Sequence, residues 1–386
     1  MKQIEAIEQG KYGRYRHEVP EGDLEPADAS NGSPYLQGMV LVMDAHTGAV
    51  RALVGGRDFS HSSYDRAFLA KRQPGSAFKP IVYAAAIQDG LTLAERIDAT
   101  PVSVASAGTG VWRPADGVDD AYALTAREAL ARSSNNAAVR VGQRVGANRV
   151  VDMAKTLGLT TPIPPYPSIF LGAAEVVPAE FVAAYATLGN GGKKVTPQLI
   201  ERIEDAHGKV LWQAQPPREQ VVDPGVAFLT VNLMEDVVDR GTGSAVRRAG
   251  FWAPVAGKTG TTNDSKDVWF VGMTPDLVAG VWLGFDQPAQ ITANASGGQL
   301  AAPVWTQVVQ AAYTNRPMPD DWARPANVVT VSVDRATGKL ASKDCPAHEV
   351  GLEYFLEGTQ PIEFCPLHNR GGNLVDKLMK GLRRIF

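Results

Sequence analysis

Short apolar runs near the start of the chain predict a β-hairpin followed by a buried helix. Residues 39–44 and 49–54 are apolar and are joined by the turn sequence Ala45-His-Thr-Gly48, a pattern typical of two antiparallel strands. Residues 76–87 are apolar and rich in alanine, and they follow Pro74-Gly75. We therefore expect a helix that the chain enters through a tight turn.

The middle of the chain has mostly helical spacing. Helical periodicity runs through residues 90–240, for example at 121–145 and at 178–188. The second of these helices should end at the glycine-rich sequence Gly189-Asn-Gly-Gly192. One further strand pair is predicted at 200–211.

Strand patterns return near the end of the chain. Residues 255–261, 268–273 and 277–285 are nearly continuous apolar runs, and Thr274-Pro-Asp276 supplies a turn between the last two. Residues 302–313 predict one more helix. Together with the first hairpin, these strands predict an α+β fold, in which a mostly antiparallel sheet is built from both ends of the chain, is flanked by helices and carries a helical insertion.

We therefore expect three regions. Residues 1–36 are polar and turn-rich, and they are predicted to be a linker or a remnant of an upstream region. Residues 37–320 form the main domain, with the helical insertion at about 90–245. Residues 321–386 form a small β-rich tail with a terminal helix. The leucines of that helix share one face, so it either lies weakly on a membrane surface or docks on its own domain.

Composition excludes several classes of function. The 386 residues carry a net charge of −3, so there is no basic excess to indicate nucleic-acid binding. The longest apolar run, residues 277–285, is far shorter than the roughly 20 residues of a membrane helix. Residues 1–19 contain no apolar leader sequence. We expect neither a membrane span nor a secretion signal in the chain as given.

Two cysteines lie in similar sequences, Cys345-Pro-Ala-His348 and Cys365-Pro-Leu-His368. Two thiols exclude both a disulfide scaffold and a four-thiolate cluster. We expect a single disulfide between Cys345 and Cys365, which would imply an oxidising compartment, and two unlinked thiols come second. The third alternative is a tetrahedral zinc ion held by both cysteines and both histidines. The prediction is that no metal is bound.

The first candidate for chemistry is Ser76-Ala-Phe-Lys79, at the start of a predicted helix. Positions three apart share a helix face, so the Lys79 amine can remove the Ser76 proton, provided that the lysine pKa is lowered. The preceding Pro74-Gly75 would expose Ser76 at the helix N-terminus, where backbone N–H groups favour an oxyanion. Pro80 is out of place in a helix that begins at Ser76. The alternative is an N-cap serine beside a solvated lysine.

The second candidate is Lys258-Thr-Gly-Thr-Thr262, on a predicted strand. Gly260 would let a ligand lie close along the strand edge. The lysine and the threonine hydroxyls would supply one charge and several hydrogen-bond donors, which suits a carboxylate. The alternative is the end of a hairpin with a surface lysine.

The third candidate is Arg132-Ser-Ser-Asn-Asn136, which interrupts the apolar spacing of the helical insertion. Serine and asparagine side chains compete with the helix for backbone hydrogen bonds. The sequence is therefore either a helix cap or a polar cluster that faces a cleft.

Together the three motifs resemble the signature of penicillin-binding proteins and serine β-lactamases, which is S-x-x-K, a triplet of the S-D-N type and K-T-G in this order. The likeness covers residues 36–313, with a looser likeness through 386. The neighbouring sequences are similar to the transpeptidase domain of class A (bifunctional) penicillin-binding proteins at residues 72–80, 171–175, 184–186, 240–243, 257–263, 267–272 and 280–286. The resemblance implies the penicillin-binding protein/serine β-lactamase-like fold.

The resemblance also implies a serine D,D-transpeptidase, which cross-links peptidoglycan stem peptides and is acylated and inhibited by β-lactams. Ser76 would attack the carbonyl between the two terminal D-alanines of a pentapeptide stem, with Lys79 as the base. Ser133 would relay a proton, and Asn135 would hold the substrate amide. Residues 134–136 spell the same triplet one position later, and the family-like lead-in at 129–132 favours Ser133.

The same resemblance assigns the strand motif to substrate binding. Lys258, with Thr259 and Thr261, would bind the substrate carboxylate, and Gly260 and Thr262 would belong to the same socket. The backbone N–H groups of Ser76 and Thr261 would form the oxyanion hole. Lys258 would also help to keep Lys79 neutral through like-charge repulsion. This mechanism needs no metal and no cofactor.

Two further expectations rest on the resemblance. Class A members carry a glycosyltransferase domain and a membrane anchor before the transpeptidase, and residues 1–36 contain neither, so we expect a fragment or a monofunctional relative that does not polymerise glycan strands. The family works outside the cytoplasmic membrane, so we expect an extracytoplasmic location (periplasm or outer membrane face). Cell-wall synthesis proteins would be the protein partners.

The fate of the acyl-enzyme separates the alternatives. Transfer to an amine gives a cross-link, whereas transfer to water gives a D,D-carboxypeptidase or a β-lactamase. Ser134 stands where class A β-lactamases have aspartate, and Glu175, the nearest counterpart of their deacylating glutamate, has transpeptidase-like surroundings. Cross-linking is therefore favoured. A β-lactam sensor would need a transmembrane partner segment, and a purely structural scaffold would be expected to have lost Ser76 or Lys258.

Overall fold

The computed structural model describes residues 1–20, 32–106, 110–115, 122–215 and 218–368. Within these residues, thirteen strands are formed: β1 (Gln37–Asp44), β2 (Val50–Val54), β3 (Arg96–Asp98), β4 (Val104–Ser106), β5 (Gly110–Trp112), β6 (Ala123–Thr125), β7 (Arg202–Glu204), β8 (Val210–Gln213), β9 (Ala256–Thr261), β10 (Asp267–Met273), β11 (Leu277–Gly284), β12 (Val328–Asp334) and β13 (Val350–Leu356).

The same residues form ten α-helices: α1 (Lys2–Glu8), α2 (Lys79–Gln88), α3 (Ala126–Arg132), α4 (Asn135–Val145), α5 (Ala147–Thr156), α6 (Pro178–Gly189), α7 (Pro224–Asp239), α8 (Ala245–Arg248), α9 (Gly297–Leu300) and α10 (Ala302–Ala312). Short 3-10 helices lie at Gly75–Phe78, Pro167–Leu171, Asn263–Ser265 and Ala347–Glu349. In the described part of the chain, no helix combines the length and the apolar character needed to cross a membrane.

A five-stranded sheet forms the centre of the main domain, in the order β2-β1-β11-β10-β9. Every neighbouring pair is antiparallel, and β1 from the start of the domain pairs along its whole length with β11 from the end. The expected α+β fold, with an antiparallel sheet built from both ends of the chain, is confirmed. The strand β9, which carries the second candidate motif, lies at one edge.

Helices cover both faces of this sheet. On one face, Trp269 and Trp282 pack into the large core that contains α2, α6 and α7. On the other face, Phe270 packs against Trp305 of α10, with ring centroids 5.3 Å apart. Because β10 and β11 are buried on both sides, their sequences are continuous apolar runs and do not alternate.

The helical insertion between β2 and β9 differs from the prediction at one point. The stretch 121–145 was expected to be one helix, but it contains β6 and then two helices, α3 and α4, which meet at Ser133 and Ser134. Ser133 ends α3 with a φ of +61°, and the Ser134 hydroxyl caps α4 by accepting from Ala137 N. The break turns the polar sequence towards the centre of the domain.

The first residues of the chain form a helix that packs against the main domain. The helix α1 buries Ile4 and Ile7 against Leu36, Val268 and Leu283 of the main domain. Two isoleucines three positions apart lie on one helix face, and the polar residues around them conceal that pattern in the sequence. Residues 2–8 are therefore packed on the main domain, and of the two expectations this packing fits a remnant of an upstream region better than a linker.

The β-rich tail takes the form of a two-stranded antiparallel sheet, β12 with β13. It is joined to the insertion by Arg127 of α3, whose guanidinium contacts Glu353 of β13 at 2.5 Å and Asp236 of α7 at 2.7 Å. The predicted terminal helix at 373–386 lies outside the described residues.

Candidate active site

Ser76 lies in the 3-10 turn Gly75–Phe78, which leads directly into α2. Gly75 has a φ of +53°, and a Cβ there would lie 2.6 Å from Thr261 O, so glycine is required where the turn meets β9. The α-helix begins at Lys79 and not at Ser76 as predicted. Pro80 is therefore in the first turn of α2, where its missing N–H costs no helix bond, and it is not out of place.

Core side chains hold this turn in position. Tyr185 donates its hydroxyl to Ala77 O at 2.5 Å, and Trp269 donates its indole N–H to Gln73 O at 3.0 Å. Both side chains are completely buried. The nucleophile candidate Ser76 is thus carried on backbone that is fixed on both sides by the core.

The polar loop between α3 and α4 meets Lys79. The Lys79 amine donates to Ser133 O at 2.5 Å, to Asn135 Oδ1 at 2.6 Å and to Ser133 Oγ at 3.2 Å. Ser133 Oγ also accepts from Lys258 Nζ at 2.8 Å. A left-handed φ is rare for serine, and here it lets one residue offer both its carbonyl and its hydroxyl to the lysines.

The structure also distinguishes between the two possible positions of the serine–asparagine triplet, residues 133–135 and residues 134–136. The Ser134 side chain caps α4, and Asn136 Oδ1 accepts from Val102 N at 3.2 Å. It is the Ser133 and Asn135 side chains that the structure brings to Lys79.

The edge strand β9 supplies the second wall of the site. Thr259 and Thr261 face a cavity, whereas a Cβ on Gly260 would lie 2.4 Å from Pro74 O and 3.0 Å from Ala77 Cβ. We expected Gly260 to make room for a ligand. Its missing side chain instead lets β9 pack against the turn that carries the nucleophile.

Thr262 lies away from the cavity wall. Its hydroxyl accepts from Asp267 N at 2.9 Å, and its own N–H donates to Asp267 O at 3.1 Å. These bonds close the connection between β9 and β10. Thr262 was expected to bind the substrate, but it is not among the residues that line the cavity.

The cavity that joins these groups has a volume of about 770 Å³. Its walls come from the nucleophile turn, the polar loop, β9, α8 and the segment before α10, and they consist of Ser76, Ser133, Thr242, Ala245, Arg248, Ala249, Thr259, Thr261, Asn294, Ser296, Gly298, Gln299 and Pro303.

Sequence reasoning missed two parts of this wall. Thr242 Oγ1 lies 2.6 Å from Thr259 Oγ1, and Gly297 N donates to Thr261 Oγ1 at 3.2 Å. Thr242 belongs to residues 240–243, which carried part of the family resemblance, so that signal could have placed it. Nothing in the spacing of residues 294–299 marks them as part of a site.

Two buried lysines, Lys79 and Lys258, lie close together in the site and influence each other's charge. Lys79 and Lys258 are both completely buried. Burial, and then the charge of Lys79, lower the pKa of Lys258 well below its usual value. The like-charge repulsion that the sequence suggested is therefore present, and it acts on Lys258.

Within the described residues, a group that could hold a metal ion lies in the C-terminal tail and not in this cavity. It consists of Asp334, Cys345, Cys365 and His368. Both cysteines are free thiols in this structure, which differs from the expected disulfide, and both sulfurs lie in the same cluster as the carboxylate and the imidazole.

Comparison with known proteins leads to the same family as the three sequence motifs. Residues 38–310 match the family described as penicillin binding protein transpeptidase domain, and residues 324–370 match the penicillin-binding protein 1A C-terminal domain. Penicillin-binding protein 1A of Pseudomonas aeruginosa is 35% identical over 369 residues, and that of Neisseria lactamica is 39% identical over 302 residues. These matches cover 81% and 74% of this chain but 44% and 38% of the relatives, so the chain spans less than half of their length.

Similar solved structures include penicillin-binding protein 1A from Haemophilus influenzae, with a TM-score of 0.79 and 27% identity over 86% of this chain and 55% of that one. PonA1 from Mycobacterium tuberculosis has a TM-score of 0.65 and 27% identity over 76% of this chain and 81% of that one. The expected fold and the family resemblance are confirmed. The chain belongs to the penicillin-binding protein transpeptidase family, and its matched regions correspond to the transpeptidase portion of a class A penicillin-binding protein.

Proposed function

We propose that the chain is a serine D,D-transpeptidase, which cross-links peptidoglycan stem peptides through an acyl-enzyme on Ser76 and which β-lactams acylate. One observation carries the proposal: the Ser133 hydroxyl contacts the amines of both Lys79 and Lys258 in the wall of the cavity that Ser76 lines. A nucleophile, a base and a hydroxyl relay are the groups that acyl transfer needs.

In the first step, Ser76 Oγ attacks the carbonyl carbon between two terminal D-alanines, and its proton passes to the neutral amine of Lys79. A neutral amine has two N–H bonds, and Ser133 O and Asn135 Oδ1 are the two closest acceptors. The lone pair of that state accepts the serine proton. Like-charge repulsion between the two buried amines disfavours protonation of both at once.

In the second step, the tetrahedral intermediate collapses, the C–N bond breaks and D-alanine leaves. Its amine takes a proton through Ser133 Oγ, which bridges the two lysines. The backbone N–H groups of Ser76 and Thr261 stabilise the oxyanion. An amine of a second stem peptide then attacks the ester, which releases the cross-linked peptide and restores the Ser76 hydroxyl.

The strand β9 supports the binding of an extended peptide. Because β9 lies at the edge of the sheet, it can offer backbone N–H and C=O groups to an added strand. The hydroxyls of Thr259 and Thr261, with the Lys258 charge, suit the terminal carboxylate. Gly260 lets this socket pack closely against the Ser76 turn.

Membership of the family supports the proposed ligands and location. PonA1 from Mycobacterium tuberculosis has been solved in complex with penicillin V, and that structure matches this chain with a TM-score of 0.64 and 26% identity. We assign peptidoglycan stem peptides and β-lactams as ligands, an extracytoplasmic site of action, and cell-wall synthesis proteins as partners.

The test is an intact mass spectrum of the chain after incubation with benzylpenicillin, followed over hours beside Ser76→Ala. A one-to-one adduct that requires Ser76 and persists is the expected result. Absence of an adduct, or an adduct on Ser76→Ala, would contradict the nucleophile assignment. Lys79→Ala should slow acylation by at least about 10²-fold while the far-UV circular dichroism stays unchanged.

The same experiment separates cross-linking from hydrolysis. Glu175 is exposed and does not line the cavity, so this carboxylate is not placed to activate water for rapid deacylation. An adduct that vanishes while penicillin is consumed would indicate a hydrolase. With a pentapeptide stem, release of D-alanine together with a cross-linked product supports transpeptidation, and release of D-alanine alone indicates a carboxypeptidase.

A further inference from the structure

Two thiols, a carboxylate and an imidazole converge in the C-terminal tail. Asp334 is the last residue of β12, Cys345 lies in the connection to β13, and Cys365 and His368 follow β13. One ligand atom from each of the four lies within 4.8 Å of the others. Three separate stretches of the tail thus bring four metal-ligating side chains into one small volume.

These groups are oriented towards one another. Asp334 is completely buried, and its Oδ1 accepts from the backbone N–H and the hydroxyl of Thr337, both at 2.9 Å. Its Oδ2 is directed the other way, 3.1 Å from His368 Nδ1, and Cys365 Sγ lies 3.5 Å from the same nitrogen. Tetrahedral zinc bonds of 2.0–2.3 Å would place ligand atoms about 3.3–3.8 Å apart, which is close to these separations.

The geometry points to a structural zinc ion bound by Asp334, Cys345, Cys365 and His368. Zinc accepts thiolate, imidazole and carboxylate ligands together, and four protein ligands make a closed site. Two thiolates and an imidazole do not suit magnesium or calcium. On binding, each thiol gives up its proton to solvent, and His368 Nδ1 directs its lone pair to the metal in place of its present contact with Asp334.

Two neighbouring groups support this site. Glu349 Oε2 lies 3.8 Å from His368 Nε2, so it can orient the ring with Nδ1 towards the metal. The backbone N–H of Ser342 donates to Cys345 Sγ at 3.2 Å, and this bond fixes the position of the sulfur in the cluster. Both contacts match what a zinc ligand needs from its surroundings.

The ligand set differs from the one that the repeated Cys-Pro-x-His sequence suggests. The His348 side chain is 82% exposed and lies 3.6 Å from Glu349, outside the cluster. Asp334 takes the fourth position instead. Because the ligands come from the end of β12, from the connection to β13 and from the segment after β13, the ion would tie these three parts of the tail together.

The test measures zinc in the full chain, purified under reducing conditions, loaded with zinc chloride and dialysed. Elemental analysis should find one zinc ion per chain, and replacement by Co²⁺ should give thiolate charge-transfer absorption. His368→Ala should weaken zinc binding by about 100-fold or more, whereas His348→Ala, the matched control, should bind as the unmodified chain does. Glu349→Gln should weaken binding about 10-fold.

Several results would overturn the proposal. These are less than one zinc ion per chain in the unmodified protein, equal losses in His368→Ala and His348→Ala, or full binding by Asp334→Asn. An unreduced mass two hydrogens below that of the reduced chain would identify a Cys345–Cys365 disulfide instead. Benzylpenicillin labelling of Ser76 in each variant reports whether the main domain is folded, so a loss of zinc can be distinguished from unfolding.

Discussion

Ser133 Oγ accepts a hydrogen bond from Lys258 Nζ at 2.8 Å, across 125 residues of sequence. The same hydroxyl lies 3.2 Å from Lys79 Nζ. Ser133 therefore connects the helix, the loop and the strand that carry the candidate chemistry, and it is the group through which a proton can pass between them.

Replacing Ser133 by alanine should slow acylation by benzylpenicillin by about 10²–10³-fold, because the relay is removed while the backbone carbonyl still binds Lys79. The rate constant is measured by mass spectrometry under excess penicillin. Ser134→Ala is the matched control, since it removes the cap of α4 and should cost about 1 kcal/mol of stability without a comparable loss of rate. Equal rate losses in both variants would contradict the assignment.

Lys258→Met should move the pH dependence of acylation. Methionine keeps the length of the buried side chain but removes the amine whose pKa is lowered by burial and by the charge of Lys79. The titration of Lys258 is then missing from the rate profile, so its acid limb should change position, and the maximal rate should also fall because Ser133 Oγ loses a hydrogen-bond donor. An acid limb that stays in place would show that the protonation of Lys258 does not influence acylation.

Substitution of Thr259 should lower the acylation rate, whereas substitution of Thr262 should lower the free energy of unfolding. Thr259→Val removes a hydroxyl from the cavity wall and should slow acylation by about 10–100-fold, the value of one hydrogen bond to a charged group. Thr262→Val leaves Asp267 N without its acceptor and should cost about 1–3 kcal/mol in urea unfolding, with a normal acylation rate. The reverse pattern would place Thr262, and not Thr259, in the substrate socket.

Glu235 should make stability depend on pH. Burial, and then the charge of Asp321, raise the pKa of this α7 carboxyl to about 7. Between its usual pKa and this value, the folded state holds a proton that the unfolded state releases, so stability should decrease as the pH rises through this window, by up to about 3 kcal/mol. Glu235→Gln stays neutral and should reduce this decrease. Parallel stability curves for the two proteins would exclude this effect.

The centre of the sheet could be predicted because β10 and β11 are covered on both faces, and both are therefore almost continuous apolar runs. The order of the three motifs was also readable. No local sequence pattern could predict that the three motifs lie together in space. Their proximity depends on pairing between β1 and β11 and on packing of β9 against the Gly75–Phe78 turn.

The remaining differences have separate physical causes. The polar residues at 132–136 indicated a helix cap or a cluster, but they could not show the left-handed backbone of Ser133, which serine seldom adopts. The helix α1 is short and is stabilised by packing of Ile4 and Ile7 against distant parts of the chain rather than by its own propensity. The tail cluster recruits Asp334 from the end of β12, and cysteine spacing alone cannot show this.

The pairing of β1 with β11 also has a consequence for assembly of the enzyme. During synthesis, β1 emerges long before its partner, and the entire helical insertion lies in the loop that their pairing must close, at an entropic cost. Ser76 is made early and Lys258 late, and the edge strand that carries Lys258 is joined to the sheet only through β10 and β11. If Ser76 is acylated as proposed, covalent capture of penicillin would report that this long-range closure is complete, and shorter nascent chains would contain Ser76 without the lysine of the edge strand.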